Sequence, residues 1–153
     1  MARVKEYTLD IAGGIATGGQ IAACFCLGAE GVQIGTRFAA TIEASSSEKY
    51  KQKIVEAKDN STILTLKKLA PVRLYKNEFG LLANEAERSG AKEEELLSLL
   101  GKKREKMGIF EGDVENGELE MGQSSGLIND VKSVKDTIKD LLAEYNKTLT
   151  NIC

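Results

Sequence analysis

Two glycine-rich segments near the amino terminus carry residue types that could bind an anion. The first, Ala12–Gly19, contains two glycine pairs between two apolar segments, and the second is Gly35-Thr36-Arg37. Glycine lets backbone N–H groups come close to a ligand, and a helix start adds unpaired N–H groups and a positive dipole end. Either segment alone could be an ordinary tight turn, whereas the two together favour a phosphate site.

Other chemistry is limited by what the chain lacks. It contains no histidine, which is the usual general base near neutral pH and the commonest metal ligand. The three cysteines, Cys24, Cys26 and Cys153, form no C-x-x-C pair and are typical of reduced thiols. We therefore predict no metal site and no catalytic residue in this chain, so that any chemistry must use other groups or another polypeptide.

The glycine segments lie between elements that predict a β-α-β unit. Alternating apolar and polar residues predict a strand over Val4–Ala12, and an apolar run predicts a short helix over Gly19–Leu27. Gly31–Thr36 indicates a second strand, which should be parallel to the first and joined to it by a right-handed crossover. Both glycine segments should therefore lie close together, at the carboxyl ends of neighbouring strands.

The remainder of the chain is predicted to be mostly helical. Caps and apolar stripes at helical spacing mark the helices, and the only proline, Pro71, interrupts the pattern. We therefore divide the chain into a βαβ unit at residues 1–46 and a helical region at residues 47–153. Helices are predicted over Ser47–Lys58, about Asn77–Arg88, Glu93–Arg104 and from Asp130 onward, with a glycine-rich loop at 108–126 that has room for one short strand.

A phosphate site formed by the loops after two successive parallel strands is typical of a TIM barrel, which often uses the loops after its strands 7 and 8. A dinucleotide-binding fold fits less well, because no acidic residue ends the strand Gly31–Thr36 where a ribose would be held. We predict an α/β fold: the carboxyl-terminal fragment of a TIM (β/α)8 barrel, about strands 7 and 8, followed by a mostly helical region.

Two sequence strings point to one family. Residues 12–41, AGGIATGGQIAACFCLGAEGVQIGTRFAAT, and residues 121–128, MGQSSGLI, resemble nitronate monooxygenases, also called 2-nitropropane dioxygenases. The FMN-dependent enoyl-ACP reductases, a second branch of that family, carry similar strings. The resemblance runs from about residue 11 to 149 and implies an FMN-dependent oxidoreductase acting on a small-molecule substrate. Nitronate oxidation is the first expectation and enoyl-ACP reduction is the alternative.

The resemblance also implies a cofactor site in this chain. FMN would be held by its phosphate between the two glycine segments, while the late string would approach the flavin ring or the substrate. The cofactor-binding residues that the resemblance implies are Gly13, Gly14, Gly35, Thr36 and Gln123, with Met121 and Gly122 in the same neighbourhood.

Three side chains near this site have two possible roles each. Arg37 could neutralise the phosphate or form a structural ion pair. Met121 could line the active site or pack in the core. Gln123 could donate a hydrogen bond to a substrate or satisfy carbonyl groups of its own loop.

The chain departs from the family pattern at its start. The family has about six more strands before residue 11, and its seventh strand is usually apolar, whereas this chain places Asp10 where burial is expected. Burying that carboxylate without a partner would cost free energy. Residues 1–10 are therefore either the native strand or a replaced start, a frameshifted remnant or an engineered junction.

Two βα units cannot close a barrel, so we expect an exposed apolar patch and self-association. We also expect a truncated chain that is inactive alone. The alternative from another functional class is a non-catalytic phosphate-binding or structural module.

Composition argues against several other functions. The chain has 153 residues, of which 42% are hydrophobic, and a formal net charge of −2, all typical of a soluble globular protein. Basic residues are dispersed among nearly equal numbers of acids, so no nucleic-acid patch is predicted. No apolar run approaches the roughly 20 residues that cross a bilayer. We therefore predict a cytoplasmic protein without nucleic-acid or membrane partners.

Overall fold

The structure, a computed structural model, describes residues 9–152. Within this range it contains short strands, six α-helices, one turn of π-helix at Lys106–Phe110 and one 3₁₀ helix at Gln123–Leu127. The strands are β1 (Asp10–Ala12), β2 (Gly31–Gln33), β3 (Thr62–Thr65) and β4 (Val72–Tyr75). The α-helices are α1 (Gly18–Cys26), α2 (Thr36–Ala39), α3 (Glu48–Glu56), α4 (Glu78–Arg88), α5 (Glu93–Leu100) and α6 (Val134–Ile152).

The first elements form the expected β-α-β unit. β1 and β2 are parallel, with Ile11 opposite Val32, and α1 connects them. The predicted strand residues 4–8 lie outside the described part of the chain. The second strand is shorter than predicted, because the chain turns into α2 at Thr36.

The two faces of this small sheet differ in burial. Ile11 and Val32 pack against a buried cluster that includes Ile15 and Cys24. Asp10 lies on the other face and is exposed. The expectation that Asp10 occupies a buried position is therefore wrong, and no burial cost for its carboxylate arises.

Helix α6 packs closely against α1, which anchors the end of the chain on the β-α-β unit. The rings of Phe25 and Tyr145 meet edge to face, with centroids 5.8 Å apart. At the other end of α1, Gly18 lies against the backbone of Leu141 and Tyr145. This contact joins the regions that sequence analysis separates at residue 46, and that boundary stays a prediction.

A β-hairpin, not predicted from the sequence, interrupts the helical region. β3 and β4 are antiparallel, with Ile63 opposite Leu74, and they pack on α4 and α5 through a core that contains Leu66 and Phe79. Pro71 directly precedes β4, where a missing N–H is tolerated. The region is thus helical around one hairpin, and the four helices predicted in it are present, with α5 ending earlier than predicted and α6 beginning later.

The glycine-rich loop at 108–126 is pinned by one buried side chain. Asn77 caps α4 with its Oδ1 and donates through Nδ2 to the carbonyl oxygens of Val114 and Gly117. Beyond this point the loop runs beside β4: the Tyr75 N–H donates to Leu119 O, and Leu74 forms an antiparallel bridge with Glu120. Sequence analysis left room for one short strand in this loop, whereas among the described residues the loop forms only an isolated bridge to β4.

Glu118 in this loop gives a prediction for pH-dependent stability. Burial and the nearby carboxylates of Glu120 and Glu105 raise the pKa of Glu118 to about 7. A carboxyl with a raised folded-state pKa contributes stability below its unfolded pKa, and that contribution is lost as pH rises through the folded value. We expect Glu118→Gln to be more stable than wild type at pH 8 by about 1 kcal/mol after allowance for solvent screening, with little difference at pH 5.

Chemical denaturation at both pH values measures this difference. The control is Glu94→Gln, which changes an exposed carboxylate on α5 and should show no such pH dependence. Equal stability of wild type and Glu118→Gln at pH 8 would contradict the prediction.

Candidate functional site

The two glycine turns meet at one cavity of about 340 Å³, at the carboxyl ends of β1 and β2. All four residues predicted at these turns line it. Gln123 does not: its side chain is exposed and donates to the carbonyl oxygen of Asp59 at 3.4 Å, so its role as a cofactor contact stays a prediction. The lining residues are Ala12, Gly13, Gly14, Ile15, Gln33, Gly35, Thr36, Gly122 and Ser124.

The glycines at this cavity differ in whether their backbone conformation requires glycine. Gly13 and Gly14 have φ angles of 88° and 75°, a conformation that side chains strongly disfavour. Gly35 has a φ of −98°, and a Cβ added there would meet no protein atom within 4 Å. The packing of the chain therefore does not demand glycine at position 35, whereas a ligand that approaches the backbone closely would.

Most amides at the start of α1 are already engaged. Thr17 and Gln20 form a capping box, in which Gln20 Oε1 accepts the N–H groups of Ala16 and Thr17. Glu144, from α6, accepts the Gly18 N–H at 2.9 Å. The expectation that the start of this helix offers unpaired N–H groups to an anion is therefore wrong for these amides.

Unengaged amides lie in the turns themselves. Within residues 9–152, the N–H groups of Gly14, Gly35 and Thr36 donate no hydrogen bond to another residue. These three residues line the cavity. An anion there would therefore be bound by the turns that follow β1 and β2 and not by the first turn of α1.

Arg37 points away from this cavity. Its guanidinium is buried and donates to Asp130 Oδ1 at 2.8 Å, to Asp130 O at 3.1 Å and to Thr137 Oγ1 at 3.2 Å. Of the two roles left open by the sequence, the structure shows the structural ion pair. No lysine or arginine is among the described residues that line the cavity.

A third wall of the cavity comes from the segment 119–124. The Gly122 N–H donates to Thr36 Oγ1 at 2.9 Å, which ties this segment to the start of α2. The Tyr50 hydroxyl donates to the carbonyl oxygen of Glu120. Burial of Tyr50 and the charge of Glu120 raise the pKa of this hydroxyl, so it stays protonated and acts as a donor.

A second cavity of about 490 Å³ adjoins the first, and the two share Gly35, Thr36 and Gly122. Met121 lines the second cavity and also packs in the main core. Its packing role is therefore present, and its role in lining an active site stays a prediction. Ser124, which sequence analysis quoted only within a string, lines the first cavity. The string that contains Ser124 was the only sequence signal for this residue. Spacing alone does not show which side chain of a loop turns towards a cavity.

The chain is similar in sequence to known nitronate monooxygenases. The sequence model of the family "Nitronate monooxygenase" matches residues 9–144. A nitronate monooxygenase from Neurospora crassa is 27% identical over an alignment 153 residues long, and the alignment covers 97% of this chain and 40% of that protein. A probable nitronate monooxygenase from Staphylococcus saprophyticus is 42% identical over 69 residues, which cover 44% of this chain and 19% of that protein.

Solved structures agree with this assignment. FabK from Thermotoga maritima is 38% identical and superimposes with a TM-score of 0.88, covering 96% of this chain and 47% of FabK. A nitroalkane oxidase from Streptomyces ansochromogenes is 27% identical with a TM-score of 0.72, covering 97% of this chain and 42% of that enzyme. This chain thus spans less than half the length of these relatives. Since the family match extends over most of its residues, the chain belongs to the nitronate monooxygenase family of oxidoreductases.

Proposed function

We propose that this chain binds the phosphate end of FMN in an FMN-dependent oxidoreductase of the nitronate monooxygenase type. The cavity at which Gly13-Gly14 and Gly35-Thr36 meet carries this proposal. In the proposed arrangement β1 and β2 are strands 7 and 8 at the carboxyl-terminal end of a TIM barrel. Loops after those two strands often form phosphate sites in such barrels.

The residues present fit a phosphoryl group. Unengaged amides at Gly14, Gly35 and Thr36 can donate to its oxygens, and hydrogen bonds to a charged acceptor are stronger than those between neutral groups. The open space at Gly35 allows the backbone to come close to a ligand. FMN, when bound, supplies the electron-transfer chemistry, and this chain binds and orients it.

We expect these 153 residues alone to give no turnover. The chain contains no histidine, and the buried Tyr50 hydroxyl has a raised pKa, so it stays protonated and offers no phenolate to act as a base. Within the described part of the chain, the side chains at the cavity bind and position the ligand and transfer no proton. An assay of nitronate oxidation with added FMN tests this expectation, and turnover by the isolated chain would contradict it.

Enoyl-ACP reduction is the second candidate, and the similarity to FabK favours it. The two reactions use different substrate pairs. Nitronate oxidation uses a nitronate and oxygen, whereas enoyl-ACP reduction uses an enoyl thioester and a nicotinamide donor. Assays with each substrate pair distinguish them in any preparation that turns over.

A flavin titration is the direct test of the proposed site. We expect FMN to bind saturably, with quenching of its fluorescence, and Gly35→Leu to weaken this binding at least about 100-fold, or about 2.7 kcal/mol. The reason is steric, because a leucine side chain would occupy space that the ligand needs beside the Gly35 backbone.

The matched control is Ala23→Leu, which adds a large side chain at an exposed position of α1. It should bind FMN like wild type. Thermal unfolding of both variants shows whether each is folded. A folded Gly35→Leu variant with unchanged FMN affinity would contradict the proposed site, and no binding by wild type would favour the non-catalytic structural module.

A further inference from the structure

Ser124 is a buried polar side chain of the first cavity for which the fold supplies no partner. It is 8% exposed and lines the cavity beside the glycine turns. Within the described residues its hydroxyl forms no hydrogen bond. Its oxygen is not enclosed by protein, because among the described residues the buried side-chain oxygen that lacks a partner is that of Ser125, and the Ser124 side chain borders the cavity instead. The Ser124 hydroxyl is therefore available to a ligand in this cavity.

A second hydroxyl lies near the same point. A Cβ added to Gly122 would be 3.3 Å from Ser124 Oγ and 3.3 Å from Thr36 Oγ1. Thr36 Oγ1 accepts the Gly122 N–H, and its own proton is donated to no described residue. Two hydroxyl donors thus border the space that Gly122 leaves open.

The electrostatic surroundings make these neutral donors important. Arg37, the nearest arginine in sequence to the glycine turns, is committed to Asp130 and Thr137. The described lining of the cavity contains no cationic side chain. A dianionic phosphoryl group here would depend on amides and hydroxyls, and each such charge-assisted hydrogen bond is stronger than a neutral one.

We propose that the Ser124 hydroxyl donates a hydrogen bond to the phosphoryl group of FMN and so makes the site selective for FMN over riboflavin. This inference rests on the proposed FMN function. It assigns the ligand contact of the late string MGQSSGLI to Ser124, whereas the Gln123 side chain is directed to Asp59 O. The segment that carries Ser124 is held in place by the bond between Gly122 and Thr36.

Titration of the full chain with FMN and with riboflavin, followed by fluorescence, tests the assignment. We expect Ser124→Ala to weaken FMN binding about tenfold, which corresponds to about 1.4 kcal/mol, and to leave riboflavin binding unchanged. Ser124→Thr keeps the hydroxyl and should retain the preference for FMN.

Ser125→Ala is the matched control. The Ser125 hydroxyl is fully buried and has no partner among the described residues, so its removal should change neither affinity. Thermal unfolding of each variant identifies any that fails to fold.

The outcomes separate this inference from the proposed function. If wild type binds neither flavin, the proposed function fails and the inference falls with it. If wild type binds FMN but Ser124→Ala binds it equally well, only the assignment of Ser124 is overturned. Equal loss of FMN and riboflavin in Ser124→Ala also overturns it, because the hydroxyl would then act on the fold or on the ring.

Discussion

Replacing Gly18 by alanine is expected to destabilise the protein by at least about 3 kcal/mol, more than most overpacking substitutions do. An added Cβ would lie 2.2 Å from Leu141 O and 2.4 Å from Tyr145 N, and both are backbone atoms of α6. A flexible side chain could turn away, but a helix backbone can only move as a unit. Thermal unfolding should therefore show a midpoint lower by roughly 6 °C or more.

The neighbouring residue provides the control for Gly18→Ala. A Cβ on Gly19 would lie 3.5 Å from Thr148 Oγ1 and 3.7 Å from Glu144 Oε1, which are ordinary contacts. Alanine is favoured over glycine within a helix by roughly 0.5–1 kcal/mol, so Gly19→Ala should be neutral or stabilising. Similar stability of the two variants would mean that α1 and α6 are not packed as closely as the distances at Gly18 indicate.

Local patterns made much of this fold predictable. The alternating segment that ends at Ala12 and the apolar run before Gly28 indicate a strand and a helix because periodicity depends only on near neighbours. The same is true of α3 and α4, whose caps Ser47 and Asn77 accept N–H groups three residues later. The glycine pairs could be assigned to one cavity because parallel strands place their carboxyl ends together.

Contacts between distant residues could not be predicted in this way. The Glu144 carboxylate accepts a hydrogen bond from the Gly18 N–H although the two residues are 126 positions apart in sequence. Nothing in the sequence near either residue indicates the other. The hairpin was missed because β3 and β4 are four residues each and Pro71 suggested only a break in a helix. Short apolar segments of this kind fit a strand or a helix equally well from sequence.

In the candidate site, too, the features that depend on local sequence were predictable and those that depend on tertiary contacts were not. The turns at Gly13-Gly14 and Gly35-Thr36 were predictable because glycines that directly follow a strand are a local sequence signal. The inward position of Ser124 depends on how the segment 119–124 lies beside β4 and bonds to Thr36, which is a tertiary contact. The role of Arg37 depended on a partner, Asp130, that lies 93 positions away.

Removing the partner of Arg37 is expected to have the second large effect. Asp130→Asn leaves the Arg37 side chain, which is 9% exposed, without its carboxylate partner. Breaking a buried ion pair typically costs several kcal/mol, and because the Asp130 side chain is 42% exposed we expect about 2–3 kcal/mol. The unfolding midpoint should fall by roughly 5–10 °C.

The pH dependence of this loss follows from the Asp130 carboxyl. Burial alone would raise its pKa, but hydrogen bonds from Lys132 and Arg37 outweigh burial and hold the pKa below its usual range. A lowered pKa contributes stability above the unfolded-state value, and that contribution is lost as pH falls through the folded value. The difference in the free energy of unfolding between wild type and Asp130→Asn should therefore have its largest value at pH 7 and become smaller at strongly acidic pH.

A double-mutant cycle separates the ion pair from a role in ligand binding. Arg37→Met combined with Asp130→Asn leaves no unpaired charge, so the double variant should be more stable than Asp130→Asn alone. Because the Arg37 guanidinium is bonded to Asp130 and Thr137, Arg37→Met should not lower FMN affinity beyond the effect of any lost stability. Weaker FMN binding by Arg37→Met at unchanged stability would show instead that the guanidinium serves the phosphate, which is the role that the contacts of Arg37 argue against.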